Sequence, residues 1–377
     1  MNWRRTRAVA RKEFLHILRD SRSLALALAL PLMMLVLFGY ALSLDVDRVP
    51  MIVEDRDRTP ESRELISRFA GSRYFEILAY AANPNEVNRG LSSAEHLLAL
   101  VIPEGFGGDL RAGREARVQA LLDGSDSNTA SIAMGYVEAL VQAYTAELRT
   151  EAQKARGAGE FRPAVEPRVR VWYNPDLKSK NFIVPGLVAV ILMIIASLLT
   201  SLTIAREWET GTMEQLLSTP VRPAELVLGK LAAFFALGVV DMAVTLVSGV
   251  VIFDVPLRGS VLLLVLSSGI FLFGALCWGV MISAIARTQL MAYQMGTITS
   301  FLPAFLLSGF IFSVESMPAV IQVISYIVPA KYFITVIKGI FLKGSGIELL
   351  WGQIALLTVY AAAVFLMATR RLKQKVA

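Results

Sequence analysis

The sequence has little of the chemistry that builds metal centres or disulfide frameworks. Its 377 residues include a single cysteine, Cys277, which excludes a disulfide framework and any site built from several thiolates. The two histidines, His16 and His96, lie far apart, so a histidine-based metal site is not expected. Charged residues make up 18% of the chain, against roughly 25% in an ordinary soluble domain, while apolar residues make up 55%. This composition predicts an integral membrane protein.

Six apolar segments are long enough to cross a bilayer as helices. A hydrocarbon core about 30 Å thick needs about 20 apolar residues in helical conformation. The candidate spans are residues 24–44, 182–204, 228–253, 261–286, 290–312 and 349–367. The first is too long, and starts too far from the N-terminus, for a cleaved signal peptide. The predicted fold class is an α-helical polytopic membrane protein with six transmembrane helices, the first within 23–44 and the others within 182–369.

Lysine and arginine are distributed unevenly between the two sides that these spans define. Fifteen lie on the side of both termini, and four lie in the short segments of the opposite side. Because cytoplasmic segments carry the excess of these residues, both termini, including the tail 370–377, are expected in the cytoplasm. The asymmetry explains the formal charge of +6, and no basic stripe with interleaved aromatic residues occurs. A nucleic-acid partner is therefore not expected.

Residues 45–181, between spans one and two, are long enough for a domain of their own. Strand-like runs occur at residues 49–54, 74–79, 97–102, 117–122 and 169–173. Helix starts alternate with them: Thr59 and Asn83 each precede a proline, and a long helix starts at Ser125 or Ser127. The pattern predicts an inserted extracytoplasmic α/β domain with a largely parallel or mixed sheet. We find no catalytic constellation in it.

Residues 1–22 precede the first span and have the pattern of an amphipathic helix. Ala10, Phe14 and Ile17 recur on one side at helical spacing, with arginines off that side. A basic amphipathic helix beside a span tends to lie among lipid headgroups. We expect a cytoplasmic interfacial helix in contact with membrane lipid; a plain positively charged flank is the alternative.

The cytoplasmic loop 205–227 predicts a short helix. Thr212 and Gln215 have the spacing of a capping box. Three large apolar residues follow at helical spacing, namely Met213, Leu216 and Leu217. Such a face on a cytosolic helix favours a partner groove, whereas the alternative is a lip packed on the protein's own spans.

Three separated stretches resemble the ABC-2 type export permeases. The segment 206–220, with Glu209-Thr210-Gly211-Thr212-Met213-Glu214-Gln215-Leu216-Leu217, is similar to the one before that family's third span. Residues 12–20 look like its interfacial helix, and 309–344 look like its exofacial segment between the last two spans. The insert, with Asp123-Gly124-Ser125-Asp126, resembles a subgroup with a large external domain and a role in drug efflux. The resemblance covers essentially the whole chain.

The resemblance implies half of a transporter in a bacterial inner membrane. Two permeases, identical or related, would form the pathway, and a cytoplasmic dimer of separate ATPase subunits would bind ATP and Mg²⁺ and drive alternating access. A periplasmic membrane-fusion adaptor is a further partner by family analogy. The substrate would be hydrophobic or amphipathic, with cationic drug-like molecules included. The residues expected to couple to the ATPase are Glu207, Thr212, Met213, Glu214, Leu216 and Leu217.

The sequence independently argues against ATP hydrolysis by this chain. A phosphate-binding loop needs the pattern Gly-x-x-x-x-Gly-Lys-Ser/Thr. The single Gly-Lys pair, Gly229-Lys230, has Ala224 at the first glycine position and is followed by Leu231. We therefore expect no enzymatic activity, no cofactor and no metal in this chain.

Several polar residues fall inside the predicted spans. Asp241 lies near the middle of the third, where an ionisable group is costly and marks a functional site by default. It would face the pathway and favour cationic substrates; the alternative is a structural carboxyl that is either neutral or hydrogen-bonded to serine or threonine of a neighbouring helix. Weaker candidates for lining the pathway are Thr200, Ser201, Tyr293, Gln294 and Thr297.

The segment 314–348 is too short and too polar to cross the membrane twice. We expect a pair of re-entrant helices on the outer side, which would close the outer end of the pathway. Two other classes of function compete with export. A membrane-anchored ligand sensor would need a cytoplasmic signalling domain, and a secondary transporter would need coupling carboxylates and usually inverted repeats. The sequence shows neither feature.

Overall fold

The computed structural model describes residues 2–41, 48–155, 172–174, 178–286 and 288–376. The chain divides into two compact units, a sheet unit, Leu44–Val169, and a helical unit, Met1–Ser43 with Arg170–Ala377. In chain order the elements are α1 (Trp3–Arg19), α2 (Ser21–Ala41), β1 (Val49–Asp55), α3 (Pro60–Ala70), β2 (Phe75–Tyr80), α4 (Pro84–Ser92), β3 (Leu98–Ile102), α5 (Phe106–Arg111), β4 (Gln119–Leu122), α6 (Ser127–Ala155), α7 (Ser179–Glu209), α8 (Thr212–Leu217), α9 (Pro223–Val251), α10 (Val261–Ile285), α11 (Gln289–Leu306), α12 (Ala319–Ser325), α13 (Pro329–Lys338) and α14 (Ile347–Val376).

The sheet unit contains a four-stranded mixed sheet in the order β2-β1-β3-β4. Strand β1 runs parallel to β2 and β3, and β4 is antiparallel to β3. Strand β1 is buried on both faces of the sheet, because Met51 and Val53 pack into one apolar cluster and Ile52 packs into another. Helix α5 was not predicted, and the expected last strand, 169–173, lies mostly outside the described residues.

The helical unit has the length and apolarity of a polytopic membrane protein. Among the described residues, four helices are long and apolar enough to cross a bilayer: Ser179–Glu209, Pro223–Val251, Val261–Ile285 and Ile347–Leu372. A fifth is counted if Ala319–Ser325 and Pro329–Lys343, which meet at 79°, form one broken span. The predicted first span corresponds to α2, whose apolar part, Ala27–Ala41, is shorter than the four helices above. The predicted fifth span corresponds to α11, which has 18 residues. Six crossings therefore stay a prediction.

Small residues bring α7, the most buried of these helices, close to its neighbours. A Cβ at Gly279 of α10 would lie 2.0 Å from Thr200 Oγ1 and 2.4 Å from the Ser197 carbonyl oxygen. Ser300 of α11 donates a 2.6 Å hydrogen bond to Ser197 Oγ. Such close contacts between backbones are typical of helix packing in membranes, and they fix the end of α7 on which the site below is built.

Candidate functional site

Helix α1 is amphipathic, as predicted, and its inner face packs on α9. The buried residues are Thr6, Val9 and Glu13, and the exposed apolar ones include Phe14 and Leu18. The contact is close at Gly229, where a Cβ would lie 2.7 Å from Val9 Cβ and 3.0 Å from the Thr6 carbonyl oxygen. The absence of a side chain at Gly229 therefore lets the two helices touch.

The first turn of α1 is tied to the start of α9. Glu225 accepts backbone hydrogen bonds from Asn2, at 2.6 Å, and from Arg222, at 3.1 Å. The Arg5 guanidinium donates to the Pro220 carbonyl oxygen and lies 4.0 Å from Glu225 Oε2. One carboxylate thus caps α9 and holds the beginning of α1.

Four charged side chains form a closed ring farther along the same contact. The Lys230 ammonium lies 3.0 Å from Glu13 Oε1 and 2.9 Å from Glu207 Oε1. Lys12 Nζ lies 2.9 Å from Glu207 Oε1 and 3.3 Å from Glu13 Oε1. These residues, Lys12, Glu13, Glu207 and Lys230, are called the ion ring below. The ring carries two positive and two negative charges and joins α1, α7 and α9.

One side of the ion ring is buried and the other is exposed. The Lys230 side chain is 1% exposed, whereas that of Lys12 is 55% exposed. Burial alone would raise the pKa of Glu13, but the charges and hydrogen bonds of Lys230 and Lys12 outweigh it and lower this pKa. Burial likewise opposes the charged form of Lys12, yet the hydrogen bond to Glu207 raises the pKa of Lys12. Both groups therefore keep their charges at neutral pH.

Helix α8 begins differently from the prediction. Its N-cap is Gly211 in the left-handed conformation, with φ 73°, and no side chain caps it. Thr212 is the first helical residue, and its hydroxyl lies 3.1 Å from that of Thr210 and 3.4 Å from the Glu207 carbonyl oxygen. The predicted capping box is wrong, because glycine lets the chain turn directly from α7 into α8.

The predicted exposed apolar face of α8 is also wrong in part. Met213 is fully buried in the core of the helical unit, and Leu216 is half-buried against it. The side chain of Leu217 lies outside the described residues. Glu214 is exposed, whereas Glu207, which was also expected to couple to the ATPase, is buried in the ion ring. Met213 thus anchors α8 on its own unit and orients the rest of the helix.

A cavity of about 770 Å³ opens between α1, α2, α7, α8, α9 and α11. Its polar wall includes all four members of the ion ring together with His16 of α1 and Gln215 of α8, and Leu216 of α8 also lines the cavity. Its apolar wall is formed by Leu24, Ala27, Leu198, Leu199, Leu202, Phe234 and Leu237. The cavity is therefore amphipathic, with charge at one end and aliphatic and aromatic groups at the other.

Comparison with known proteins identifies the family. A family profile described as ABC-2 family transporter protein matches residues 22–370. The chain belongs to this family. As an ABC-2 transporter protein it is a permease and not an ATPase, in agreement with the lack of a phosphate-binding loop.

Its relatives include permeases of the same length. Probable multidrug ABC transporter permease YbhS of Escherichia coli (strain K12) is 37% identical over 347 residues, 92% of this chain and 90% of that protein. Probable multidrug ABC transporter permease YbhR of the same strain is 31% identical over 368 residues, 98% of either chain. ABC transporter G family member 20 of Dictyostelium discoideum is 28% identical over 196 residues, 52% of this chain and 27% of that protein.

The residues predicted to line the pathway of this ABC-2 permease fall into different environments. Thr200 and Ser201 are buried, and Thr200 Oγ1 donates to the Leu276 carbonyl oxygen of α10 at 3.0 Å. Tyr293 and Gln294 are exposed on α11, and Tyr293 lines the cavity. Tyr293 therefore reaches the wall of this cavity, whereas Thr200, Ser201, Gln294 and Thr297 are not among its lining residues. Thr297 is half-buried one turn after Tyr293. Its hydroxyl donates a 2.9 Å hydrogen bond to the Tyr293 carbonyl oxygen.

Asp241 of the ABC-2 permease is buried, and neither of its carboxylate oxygens has a hydrogen-bond partner within the described part of the chain. It follows Phe234 and Leu237 on one helical stripe of α9, and both of those residues line the cavity. Of the structural alternatives, the hydrogen bond to serine or threonine of a neighbouring helix is not found among the described residues, and a neutral structural carboxyl stays open beside the role in the pathway. The described residues also contain no group of three or more His, Cys, Asp or Glu that could hold a metal ion.

Proposed function

We propose that this ABC-2 permease exports hydrophobic or amphipathic molecules, including cationic drug-like ones, from the cytoplasm by alternating access. Separate ATPase subunits bind ATP and Mg²⁺ and supply the energy. Two full-length relatives named as probable multidrug permeases support the substrate class. The amphipathic cavity, with charge at one end and apolar side chains at the other, is the observation that carries the proposal.

The ATPase docks on the wall of the cavity that α1 and α8 form. Thr212, Glu214 and Leu216 leave surface available on α8, and α1 contributes Lys12 and His16. Leu217, the neighbour of Leu216, is retained as a coupling residue from the sequence. Met213 and Glu207 contribute differently: they hold α8 and the end of α7 in place, so that force on α8 reaches the membrane helices.

A second permease, a copy or a relative, completes the pathway. Helix α11 supports this arrangement because Tyr293 and Gln294 are exposed on a helix of the membrane-spanning unit. Polar groups on a lipid-facing surface are costly, whereas the same groups are favourable on an interface or a wetted pathway. The protein lies in the bacterial inner membrane with both termini cytoplasmic and the sheet unit outside, where a membrane-fusion adaptor could reach it.

Reconstitution tests this function. The permease is purified with its partner ATPase and placed in liposomes loaded with ATP and rhodamine 6G, a cationic amphiphilic dye. We expect ATP-dependent transport that survives collapse of ion gradients by ionophores. Transport driven by an ion gradient without ATP would instead identify a secondary transporter. A protein that binds no ATPase but does bind a ligand through its sheet unit would instead be a sensor.

A further inference from the structure

The ion ring connects three helices that have different roles in the proposed mechanism. Glu207 stands in the last turn of α7, just before the chain enters α8. Glu13 belongs to α1, and Lys230 to the first turns of α9. The Lys230 ammonium contacts both carboxylates at 3.0 Å or less, so a single buried atom links the three helices.

This link differs in kind from the apolar packing around it. Apolar side chains such as Val9 can slide against a neighbour at small cost, because dispersion contacts have no preferred direction. A buried ammonium cannot lose a carboxylate without leaving an unpaired charge in a medium of low dielectric constant. Movement of the α7–α8 end is therefore imposed on α1 and α9 while the ring is intact.

Stability does not by itself explain why charges are used at this position. Well-packed apolar residues in place of a buried ion pair usually fold as well or better, since both ions must be removed from water. The Lys230 side chain is also only 1% exposed, so it offers almost no surface to another subunit. A buried ring that joins three helices is better explained by a need to move them together.

We propose that Lys230 is a positioning residue that transmits displacement of α8 to α1 and α9 through Glu207 and Glu13. The inference rests on the proposed function, because it assumes that an ATPase moves α8. It assigns to Lys230 no contact with substrate or nucleotide. Its role is to keep the cytoplasmic ends of three helices in one moving body.

The test compares a neutral ring with an intact one in the assembled complex. The neutral-ring variant carries Glu13→Gln, Glu207→Gln and Lys230→Met, and Lys12 stays free to extend into water. The matched control is Lys338→Met, the same change at a half-buried lysine of α13 outside the ring. Each protein also carries Cys277→Ala and Tyr293→Cys, which puts one thiol on the cavity wall. The readout is the rate of maleimide labelling of that thiol, with and without ATP and vanadate.

The permease–ATPase complex is first isolated by size exclusion, so that only folded, assembled protein is measured. We expect nucleotide to change the labelling rate several-fold with the intact ring and with Lys338→Met, and to have no effect with the neutral ring. Inversion of all four charges, Lys12→Glu, Glu13→Lys, Glu207→Lys and Lys230→Glu, keeps each contact of the ring between opposite charges and is expected to recover part of the change. A merely structural ring would show the change in every folded variant.

Several outcomes would overturn the inference. An unchanged nucleotide effect in the neutral ring is one, since the charges would then not be needed for transmission. Failure of the neutral ring alone to bind the ATPase is another, because the ring would then serve assembly. If the intact-ring protein binds no ATPase or shows no nucleotide effect, the proposed function itself fails, and the two failures are thus distinguishable.

Discussion

At the scale of single residues, Glu207 shows how burial changes the expected effect of a mutation. As an exposed rim charge it would contribute little. In the ion ring it is a buried partner of Lys230, at 2.9 Å, and of Lys12. Glu207→Ala leaves the Lys230 ammonium with Glu13 alone, and removal of one partner of a buried pair costs up to about 3–5 kcal/mol.

We therefore expect Glu207→Ala to cause a clear decrease in the midpoint temperature of thermal unfolding in detergent. Glu214→Ala is the matched control, because Glu214 is an exposed glutamate seven residues along the chain. The measurement is fluorescence-detected size exclusion after heating. Equal midpoints for the two variants would mean that the ring contributes no stability.

Asp241 is the second residue whose environment yields a prediction. Its two carboxylate oxygens have no hydrogen-bond partner within the described part of the chain, and the residue is buried one turn beyond Leu237, past the part of α9 that lines the cavity. If this carboxyl attracts cations during transport, Asp241→Asn should reduce export of rhodamine 6G several-fold and spare an uncharged amphiphile. The assay is dye efflux from liposomes at equal amounts of complex. Equal loss for both probes would assign Asp241 to helix packing.

The ion ring was only partly predictable from the sequence. Lys12 and Glu13 fell within the predicted interfacial helix, and Glu207 was one of the residues expected to couple to the ATPase. The partners of Lys230 are 217 and 23 positions away along the chain, and no local pattern reports contacts of that range. One signal was present: Lys230 lies inside the apolar segment 228–253, where a lysine needs a counter-charge.

At the scale of elements, Met213 attaches helix α8 to its own unit, and Leu216 remains accessible to a partner. Met213 is fully buried, whereas Leu216 is half-buried and lines the cavity with Gln215. Leu216→Asp places a charge on that wall without changing Met213. We expect this variant to insert and fold but to recover several-fold less ATPase in a pull-down than the unmodified protein. Full recovery of ATPase would mean that α8 is only a lip on its own unit.

The contact of α1 with α9 depends on a glycine. A Cβ at Gly229 would meet the Val9 side chain at 2.7 Å and the Thr6 carbonyl oxygen at 3.0 Å, so the two helices must separate. We expect Gly229→Ala to lower the unfolding midpoint and weaken ATPase binding, since α1 then leaves the ion ring. Gly352→Ala in α14, which has nothing within 4 Å, is the matched control. Identical behaviour of both variants would contradict a tight α1–α9 contact.

Sequence patterns predicted elements well where the signal is local. Thr59 and Asn83 cap α3 and α4 as expected, accepting hydrogen bonds from Ser62 and Glu86. The start of α8 was missed because Gly211 in the left-handed conformation competes with a threonine cap, and sequence spacing does not report φ. Helix α5 was missed because six residues with two glycines carry no helical periodicity.

At the scale of the whole molecule, the asymmetry of lysine and arginine predicts which side each unit occupies. The sheet unit and the short segment between α11 and α12 are expected outside, and α8 inside. Four helices have the length and apolarity of spans, while α2 and α11 are shorter. The orientation therefore depends on whether α2 and α11 also cross.

Single cysteines in a Cys277→Ala background test these crossings. Cys277 is the single cysteine of the sequence, so its removal gives a permease without thiols. Ser72→Cys and Ser316→Cys should react with an impermeant maleimide in intact spheroplasts, and Ser218→Cys only after the membrane is opened. Protection of Ser72 would show that α2 does not cross, because residues 48–155 would then share a side with α1. Protection of Ser316 alone would show that α11 turns back, which would leave α12 and α13 as one broken span that carries the chain across in its place.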